Sequence, residues 1–121
     1  MPIVLLEDSV LARNLRMRQD PDTLMVDVRE PAGRGDTGVI PGSVNVPLGE
    51  LPIKADTELP QNMRDQRLQD RSRPVITTCA AGGQAALAAK TLKDMGFQHV
   101  SYVEGGMKGW TDAGLPTDSP R

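Results

Sequence analysis

The sequence predicts an α/β fold in which a mostly parallel sheet of four or five strands is packed against helices. Short apolar, partly β-branched runs alternate with stretches of helical spacing, and no internal repeat or second domain interrupts this alternation. At 121 residues the chain has the length of one domain and can bury about two-thirds of its unfolded surface without metals or disulfides. We therefore expect a single domain over residues 1–121, with a core from about 3 to 116 and a loose tail over 117–121.

The first half of the chain begins this alternation. The run from Leu24 to Val28 is apolar enough to be covered on both faces of a sheet. Residues 32–38 hold three glycines and no large apolar side chain, which predicts a loop. The expected elements, in order, are strand 3–6, a helix from Asp8 or Ser9 to about Arg18, strand 24–28, a short edge strand 44–46 and a helical turn over 48–51.

The second half opens with a polar stretch over residues 58–69. Leu59, Met63 and Leu68 are spaced to hold a helix there against the domain. Arginines and aspartates alternate along this stretch, as is typical of a solvated face. The expected elements are helix 58–69, strand 75–78, a helix over 85–95 with a face of Ala85, Ala88, Ala89 and Leu92, strand 100–103 and a helix over 107–113 that carries Trp110.

Composition excludes several classes of protein. The net charge of −2 and the pI near 5.3 give no basic patch, and one Phe, one Trp and one Tyr provide no stacking surface for bases, so we expect no nucleic-acid partner. One cysteine permits neither an internal disulfide nor a multi-cysteine zinc site, and it suits a reducing compartment. No apolar run approaches the length of a membrane span. We expect a soluble cytoplasmic protein that does not associate with a membrane.

The single cysteine, Cys79, lies in a turn of small residues between the strand at 75–78 and the helix that follows. The backbone N–H groups of such a turn point at one spot, and the positive end of the helix dipole adds to them. Both effects favour a charged sulfur. A lone cysteine is commonly an inert core residue. However, this one lies at the carboxyl end of a central strand, where open α/β sheets bind ligands, and we predict a nucleophile.

The carboxyl ends of parallel strands meet at one edge of a sheet, which predicts the neighbours of Cys79. Asp27 and Arg29 end one strand, and Glu104 begins a turn after another. Asp27 and Arg29 are therefore candidate supporting residues, although the simplest role of Arg29 is to clamp a neighbouring carboxylate or loop carbonyl. His99 precedes its strand and should lie at the opposite edge, too far away to act as a base for the cysteine.

Four stretches of the chain form an ordered set between about residues 24 and 116. They are Val26–Pro31, Gly38–Pro47, the loop that begins at Cys79, and Glu104–Gly106 followed by Trp110. Each is weak alone, but in this order they resemble the single-domain rhodanese-like sulfurtransferases. The resemblance implies a five-stranded parallel sheet with helices on both faces and a persulfide carried on Cys79. It also implies a loop that cradles the persulfide, formed by Ala80, Ala81, Gly82, Gly83, Gln84 and Ala85.

The reaction implied by this resemblance is transfer of a sulfane sulfur. The Cys79 thiolate would take the outer sulfur of thiosulfate or another persulfide donor and pass it to a thiophilic acceptor, cyanide or a thiol, with ping-pong kinetics. The expected partners are a small-molecule donor and acceptor, with a protein persulfide donor as an additional option. One cysteine is sufficient for this cycle, and we expect no metal and no cofactor.

One departure from the family pattern leaves alternatives open. Gln84 ends the loop where family members often place an arginine, and residues 80–83 carry no charge, so thiosulfate lacks an obvious cation. A module that binds a partner, or senses sulfur or oxidants without turnover, is one alternative. A cysteine phosphatase or arsenate reductase is a weaker one, because a tetrahedral dianion calls for an arginine in the loop.

Overall fold

The sheet is parallel throughout. The structure is a computed structural model that describes residues 3–4, 22–35 and 37–120. Its strands are β1 (Ile3–Val4), β2 (Leu24–Asp27), β3 (Val44–Asn45), β4 (Val75–Thr78) and β5 (Val100–Val103). They pair in the order β1-β5-β4-β2-β3. The predicted α/β class with a parallel sheet is confirmed. The body of the sheet is the three four-residue strands, and the two-residue strands β1 and β3 form its edges.

The helices follow the predicted order with shifted ends. Within the described residues they are α1 (Leu51–Ala55), α2 (Gly83–Asp94) and α3 (Gly106–Asp112). The helical turn expected over 48–51 is therefore found later, as α1, and the helix expected over 8–18 lies outside the described residues. In the part of the chain that can be described, no helix combines the length and the apolar character needed to cross a bilayer.

Strand alternation divides the interior into two cores, one on each face of the sheet. Leu24 and Val26 of β2 belong to the core under α1 and α2, whereas Met25 belongs to the core that contains Met107 and Trp110 of α3. The alanine face predicted for α2 is fully buried in the first core, where small side chains permit close packing on the sheet. Helices therefore cover both faces of the sheet, as expected.

The predicted helix over residues 58–69 is wrong. Two short 3₁₀ turns replace it, Gln61–Met63 and Gln66–Leu68. The carboxylate of Asp65 accepts a hydrogen bond from the backbone N–H of Arg67 at 2.9 Å, and such local side-chain acceptors compete with helical hydrogen bonding. Leu68 is fully buried, as the prediction required, but Met63 is 40% exposed and does not hold the segment to the domain.

The tail predicted to be loose over residues 117–121 is attached to the domain through Asp118. The N–H of Val39 donates to the carbonyl of Asp118 at 2.8 Å, and the N–H of Asp118 donates back to the carbonyl of Val39 at 2.9 Å. Just before it, the carbonyl of Pro116 accepts a hydrogen bond from Nε1 of Trp110 at 2.8 Å. The buried indole needs an acceptor for its N–H, and this contact directs the tail across the domain.

Candidate active site

Strand β4 carries Cys79 to the carboxyl edge of the sheet, between β2 and β5. The cysteine follows directly on the strand and is 2% exposed. We call residues 79–85 the cysteine loop; they turn the chain from β4 into α2. Gly82 has a φ of +108°, a backbone conformation that a residue with a Cβ rarely adopts, so this turn depends on glycine.

The sulfur of Cys79 accepts a backbone hydrogen bond inside this turn. The N–H of Gly82 donates to Sγ over 2.9 Å. Gly82 is also the N-cap of the twelve-residue helix α2, so the donor belongs to the positive end of the helix dipole. A backbone donor and a helix dipole stabilise a negatively charged sulfur without any protonated side chain.

The start of α3 supports the cysteine loop from the side. The N–H of Met107 donates to the carbonyl of Cys79 at 2.7 Å, and the N–H of Lys108 donates to the carbonyl of Ala80 at 3.0 Å. Gly106 has a φ of +56°, and a Cβ at that position would lie only 3.0 Å from the carbonyl carbon of Ala80. The turn after β5 therefore meets the loop after β4 backbone against backbone, at the edge of the sheet where both were expected.

The far end of the loop is tied back to the strand that precedes it. The hydroxyl of Thr77 donates to the carbonyl of Ala85 at 2.8 Å, and both residues are buried. Gln84 is exposed between these fixed points. The basic residue of α3, Lys108, is paired with Asp112 through an exposed hydrogen bond of 2.8 Å. Residues 80–85 themselves contain no charged side chain.

Asp27 and Arg29 are paired with each other. Both are buried, and Nη2 of Arg29 lies 2.8 Å from Oδ2 of Asp27. The same guanidinium donates to Oγ1 of Thr37 at 2.7 Å and to the carbonyl of Gly38 at 2.9 Å. Arg29 therefore clamps a carboxylate and a loop carbonyl, which is the simpler of the two roles considered for it.

The Asp27–Arg29 pair and the sulfur face opposite sides of the sheet. Met25, two residues before Asp27 on β2, belongs to the core under α3, and side chains two apart on a strand share a face. Cys79 belongs to the core under α1 and α2.

His99 immediately precedes β5 and so lies at the opposite edge of the sheet from the cysteine loop. In the ranges that the structure describes, no three His, Cys, Asp or Glu side chains are grouped as a metal site.

Sequence reasoning missed one buried charge, Arg34. Its Nε lies 3.2 Å from Oδ2 of Asp27, so this carboxylate accepts hydrogen bonds from two guanidinium groups. The sequence shows Arg34 only as a polar residue in a glycine-containing loop, and nothing in its spacing distinguishes it from a solvated arginine. The fold buries it because the loop packs back onto the end of β2.

Comparisons with known proteins agree with this fold. A solved structure of RPA3614 from Rhodopseudomonas palustris CGA009, a protein of unknown function described as a possible tyrosine phosphatase, superposes with a TM-score of 0.85 at 33% identity. That match covers 98% of this chain and 85% of the other. Thiosulfate:glutathione sulfurtransferase from Saccharomyces cerevisiae is 28% identical over an alignment of 106 residues, which covers 80% of this chain and 70% of that protein.

Two further matches decide the family. The rhodanese domain-containing protein CG4456 of Drosophila melanogaster is 32% identical over an alignment of 92 residues, which covers 74% of this chain and 83% of that protein. The family model described as a rhodanese-like domain matches residues 11–113, a range that includes β2 to β5, the cysteine loop and α3. The chain therefore belongs to the rhodanese-like domain family.

Proposed function

We propose that this chain is a sulfurtransferase that carries a sulfane sulfur on Cys79. One observation carries the proposal: the N–H of Gly82 donates to Sγ of Cys79 at 2.9 Å within an uncharged loop at the start of α2. A persulfide is an anion, and backbone donors of this kind stabilise it. The similarity to a thiosulfate:glutathione sulfurtransferase supports sulfur transfer in general.

The proposed cycle has two displacement steps. The Cys79 thiolate attacks the outer sulfur of thiosulfate; the new bond joins Sγ to that sulfur, and the S–S bond of thiosulfate breaks with its electron pair leaving on sulfite. Cyanide then attacks the terminal sulfur of the persulfide, which forms thiocyanate and returns the thiolate. A thiol acceptor replaces cyanide in the same way. When cyanide is the acceptor, neither step requires a proton from a side chain. The cycle therefore does not need His99, which lies at the opposite edge of the sheet.

The residues around Cys79 support this cycle in different ways. Gly82 supplies the donor to the sulfur, and Gly106 permits the close approach of α3 that holds the loop. Asp27 and Arg29 are positioning residues that do not contact the sulfur. Asp27 holds the guanidinium of Arg29, which in turn donates to Thr37 and to the carbonyl of Gly38. Substrate specificity is thus left to the cysteine loop and its exposed neighbours.

The same loop supports a cysteine phosphatase activity less well than it supports sulfur transfer. Transfer of a phosphoryl group to cysteine needs bidentate positive charge beside the backbone donors. Residues 80–85 contain neither arginine nor lysine, and the guanidinium of Arg29 is bound to Asp27, Thr37 and Gly38. We therefore expect no hydrolysis of phosphate monoesters, although a similar structure is described as a possible tyrosine phosphatase.

The test is thiocyanate formation from cyanide, with thiosulfate and with glutathione persulfide as alternative donors. We expect parallel double-reciprocal plots, the signature of a ping-pong cycle, and no turnover by Cys79→Ser. Urea unfolding of Cys79→Ser must match that of the wild type, so that lost activity reports lost chemistry. Turnover that persists in Cys79→Ser, or no turnover with either donor, would contradict the proposal, and the second result would favour a binding or sensing module.

A further inference from the structure

A cavity of about 470 Å³ lies along the edge strand β3, apart from the cysteine loop. Its lining includes Arg34, Ser43, Val44, Asn45, Arg67 and Asp118, and none of residues 79–85 contributes to it. Cavities that hold small ligands have volumes of roughly 300–1,000 Å³. The cavity therefore has the size of a small-molecule site and is separate from the proposed site of sulfur transfer.

Arg34 brings an incompletely balanced positive charge to this cavity. Its side chain is 9% exposed, and its only ionic partner among the described residues is Asp27, which is also bound by Arg29. One carboxylate thus faces two guanidinium groups. In the described part of the chain, Nη1 and Nη2 of Arg34 donate no hydrogen bond. Neither group is a fully buried atom, so both keep some contact with solvent and can be reached by an anion in the cavity.

Arg67 adds a second cation to the lining. Its Nε and Nη2 donate to the two oxygens of Asp65, at 2.9 and 2.6 Å, while Nη1 makes no hydrogen bond within the described residues. Asp118 is the one acidic residue of the lining; it is exposed and is held by its backbone to Val39. Each of the two arginines has a carboxylate partner, Asp27 for Arg34 and Asp65 for Arg67, so what the lining offers an anion is the guanidinium N–H groups that these carboxylates do not use.

A neutral donor accompanies the two arginines. Ser43 lines the cavity, and its hydroxyl is buried with no hydrogen-bond partner in the part of the chain that the structure describes. Buried hydroxyl groups in folded proteins are nearly always hydrogen-bonded. A rotation about χ1 brings a serine hydroxyl to a new direction without moving the backbone, so this group can serve a ligand that enters the cavity.

We propose that this cavity binds a small oxyanion, the carboxylate or phosphate group of a small molecule, between Arg34 and Arg67. Guanidinium groups match the oxygens of such groups in geometry as well as in charge. The proposal does not depend on sulfur transfer, because no residue of the cavity belongs to the cysteine loop.

The first test is isothermal titration calorimetry at low ionic strength, with inorganic phosphate and with citrate as separate probes. We expect binding of at least one probe, weakened about tenfold by Arg67→Gln, since the substitution removes a charged hydrogen-bond donor from the lining. Lys90→Gln is the matched control, because it removes one positive charge from an exposed site on α2 outside the cavity and should leave the affinity unchanged. Phosphate binding alone would indicate a phosphate-bearing ligand, and citrate binding alone a carboxylate.

The second test locates the bound probe. In a backbone NMR titration, the amide signals of Ser43, Val44 and Asp118 should shift, and those of residues 80–85 should not. The proposal is overturned if neither probe binds, if Lys90→Gln weakens binding as much as Arg67→Gln does, or if the shifts occur in the cysteine loop instead. Arg67→Gln is preferred to a change at Arg34, whose contact with buried Asp27 makes its removal a threat to folding.

Discussion

At the scale of single residues, Gly106 decides how closely α3 approaches the cysteine loop. A Cβ at this position would lie 2.9 Å from the nitrogen of Gly82 and 3.0 Å from the carbonyl carbon of Ala80. Its φ of +56° adds a backbone cost of its own. We expect Gly106→Ala to lower the free energy of unfolding by about 2–4 kcal/mol in a urea titration, from the two costs together. Sulfur transfer should fall as well, because the loop must move.

Gly114 provides the matched control for this substitution. It also has a positive φ, +75°, but a Cβ there would meet no atom within 4 Å. Gly114→Ala should therefore carry only the backbone cost, about 1–2 kcal/mol, and should leave sulfur transfer intact. Equal destabilisation by the two substitutions would mean that the loop does not pack against α3 as closely as the structure indicates.

A substitution at Gln84 should change how well the protein uses thiosulfate as a sulfur donor. Gln84 is exposed at the end of an uncharged loop, so the dianion thiosulfate finds no cation there. We expect Gln84→Arg to raise kcat/KM for thiosulfate by about tenfold, through a charge-assisted hydrogen bond to the donor. The measurement is the initial rate of thiocyanate formation at limiting thiosulfate.

Gln98→Arg adds the same charge at an exposed position that precedes β5, on the opposite edge of the sheet. It should leave the thiosulfate kinetics unchanged. An equal gain in both variants would show that net charge, rather than a cation in the loop, governs the use of thiosulfate.

At the scale of elements, the C-terminal segment stabilises the domain by covering the core under α3. Leu115 is buried in that core, Pro116 accepts the indole N–H of Trp110, and Asp118 exchanges two backbone hydrogen bonds with Val39. A chain that stops after Leu115 loses all three hydrogen bonds. We expect its free energy of unfolding, measured in urea, to be about 1–3 kcal/mol lower than that of the full chain. Single hydrogen bonds contribute roughly 0.5–1.5 kcal/mol each, and the freed backbone groups regain hydrogen bonds to water.

A chain that stops after Asp118 is the control for this truncation. It lacks residues 119–121, of which Ser119 and Pro120 are exposed, and keeps the hydrogen bonds to Trp110 and Val39. Its unfolding should match that of the full chain. If both truncated chains are as stable as the full one, the tail is not a structural part of the domain and is loose, as the sequence alone predicts.

The turn that ends α1 gives the protein an acid-sensitive contact. The backbone N–H of Glu58, and then that of Leu59, donate to the carboxylate of Asp56 and lower its pKa below the ordinary value of 3.8. A lowered pKa in the folded state stabilises the fold above pH 3.8, and this contribution is lost as the pH falls through the folded value. Asp56→Asn retains an acceptor oxygen but does not titrate.

We therefore expect the drop in urea midpoint between neutral and acidic pH to be smaller in Asp56→Asn than in the wild type. The comparison is made with two unfolding curves for each protein, one near neutral pH and one below pH 3.8. An identical drop in both proteins would show that the two backbone hydrogen bonds do not distinguish the charged from the neutral carboxyl group.

At the scale of the whole molecule, the central strands and the location of the cysteine were predictable from sequence. The bounds of β4 and β5 are those predicted, because each is a short apolar or β-branched run that a buried strand requires. The alanine face of α2 was predictable because helical spacing brings its residues together. Those two patterns suffice to place Cys79 at the carboxyl edge of the sheet.

The features that sequence did not predict depend on contacts that periodicity does not show. Asp65 diverts residues 58–69 from a helix through a side-chain hydrogen bond to the backbone, which competes with amphipathic spacing. The pairing of Asp118 with Val39 joins residues far apart in the chain. The burial of Arg34 follows from the loop around it rather than from its own sequence context.

If Cys79 carries the transferred sulfur, as we claim, intact-protein mass spectrometry detects that sulfur on the protein. The protein is incubated with thiosulfate and, separately, with glutathione persulfide, beside the Cys79→Ser variant, and its mass is measured before and after addition of cyanide. We predict a gain of one sulfur, about 32 Da, with at least one donor, its removal by cyanide, and no gain in Cys79→Ser. A wild-type protein that gains no mass with either donor, or a variant that gains the same mass, would contradict the claim.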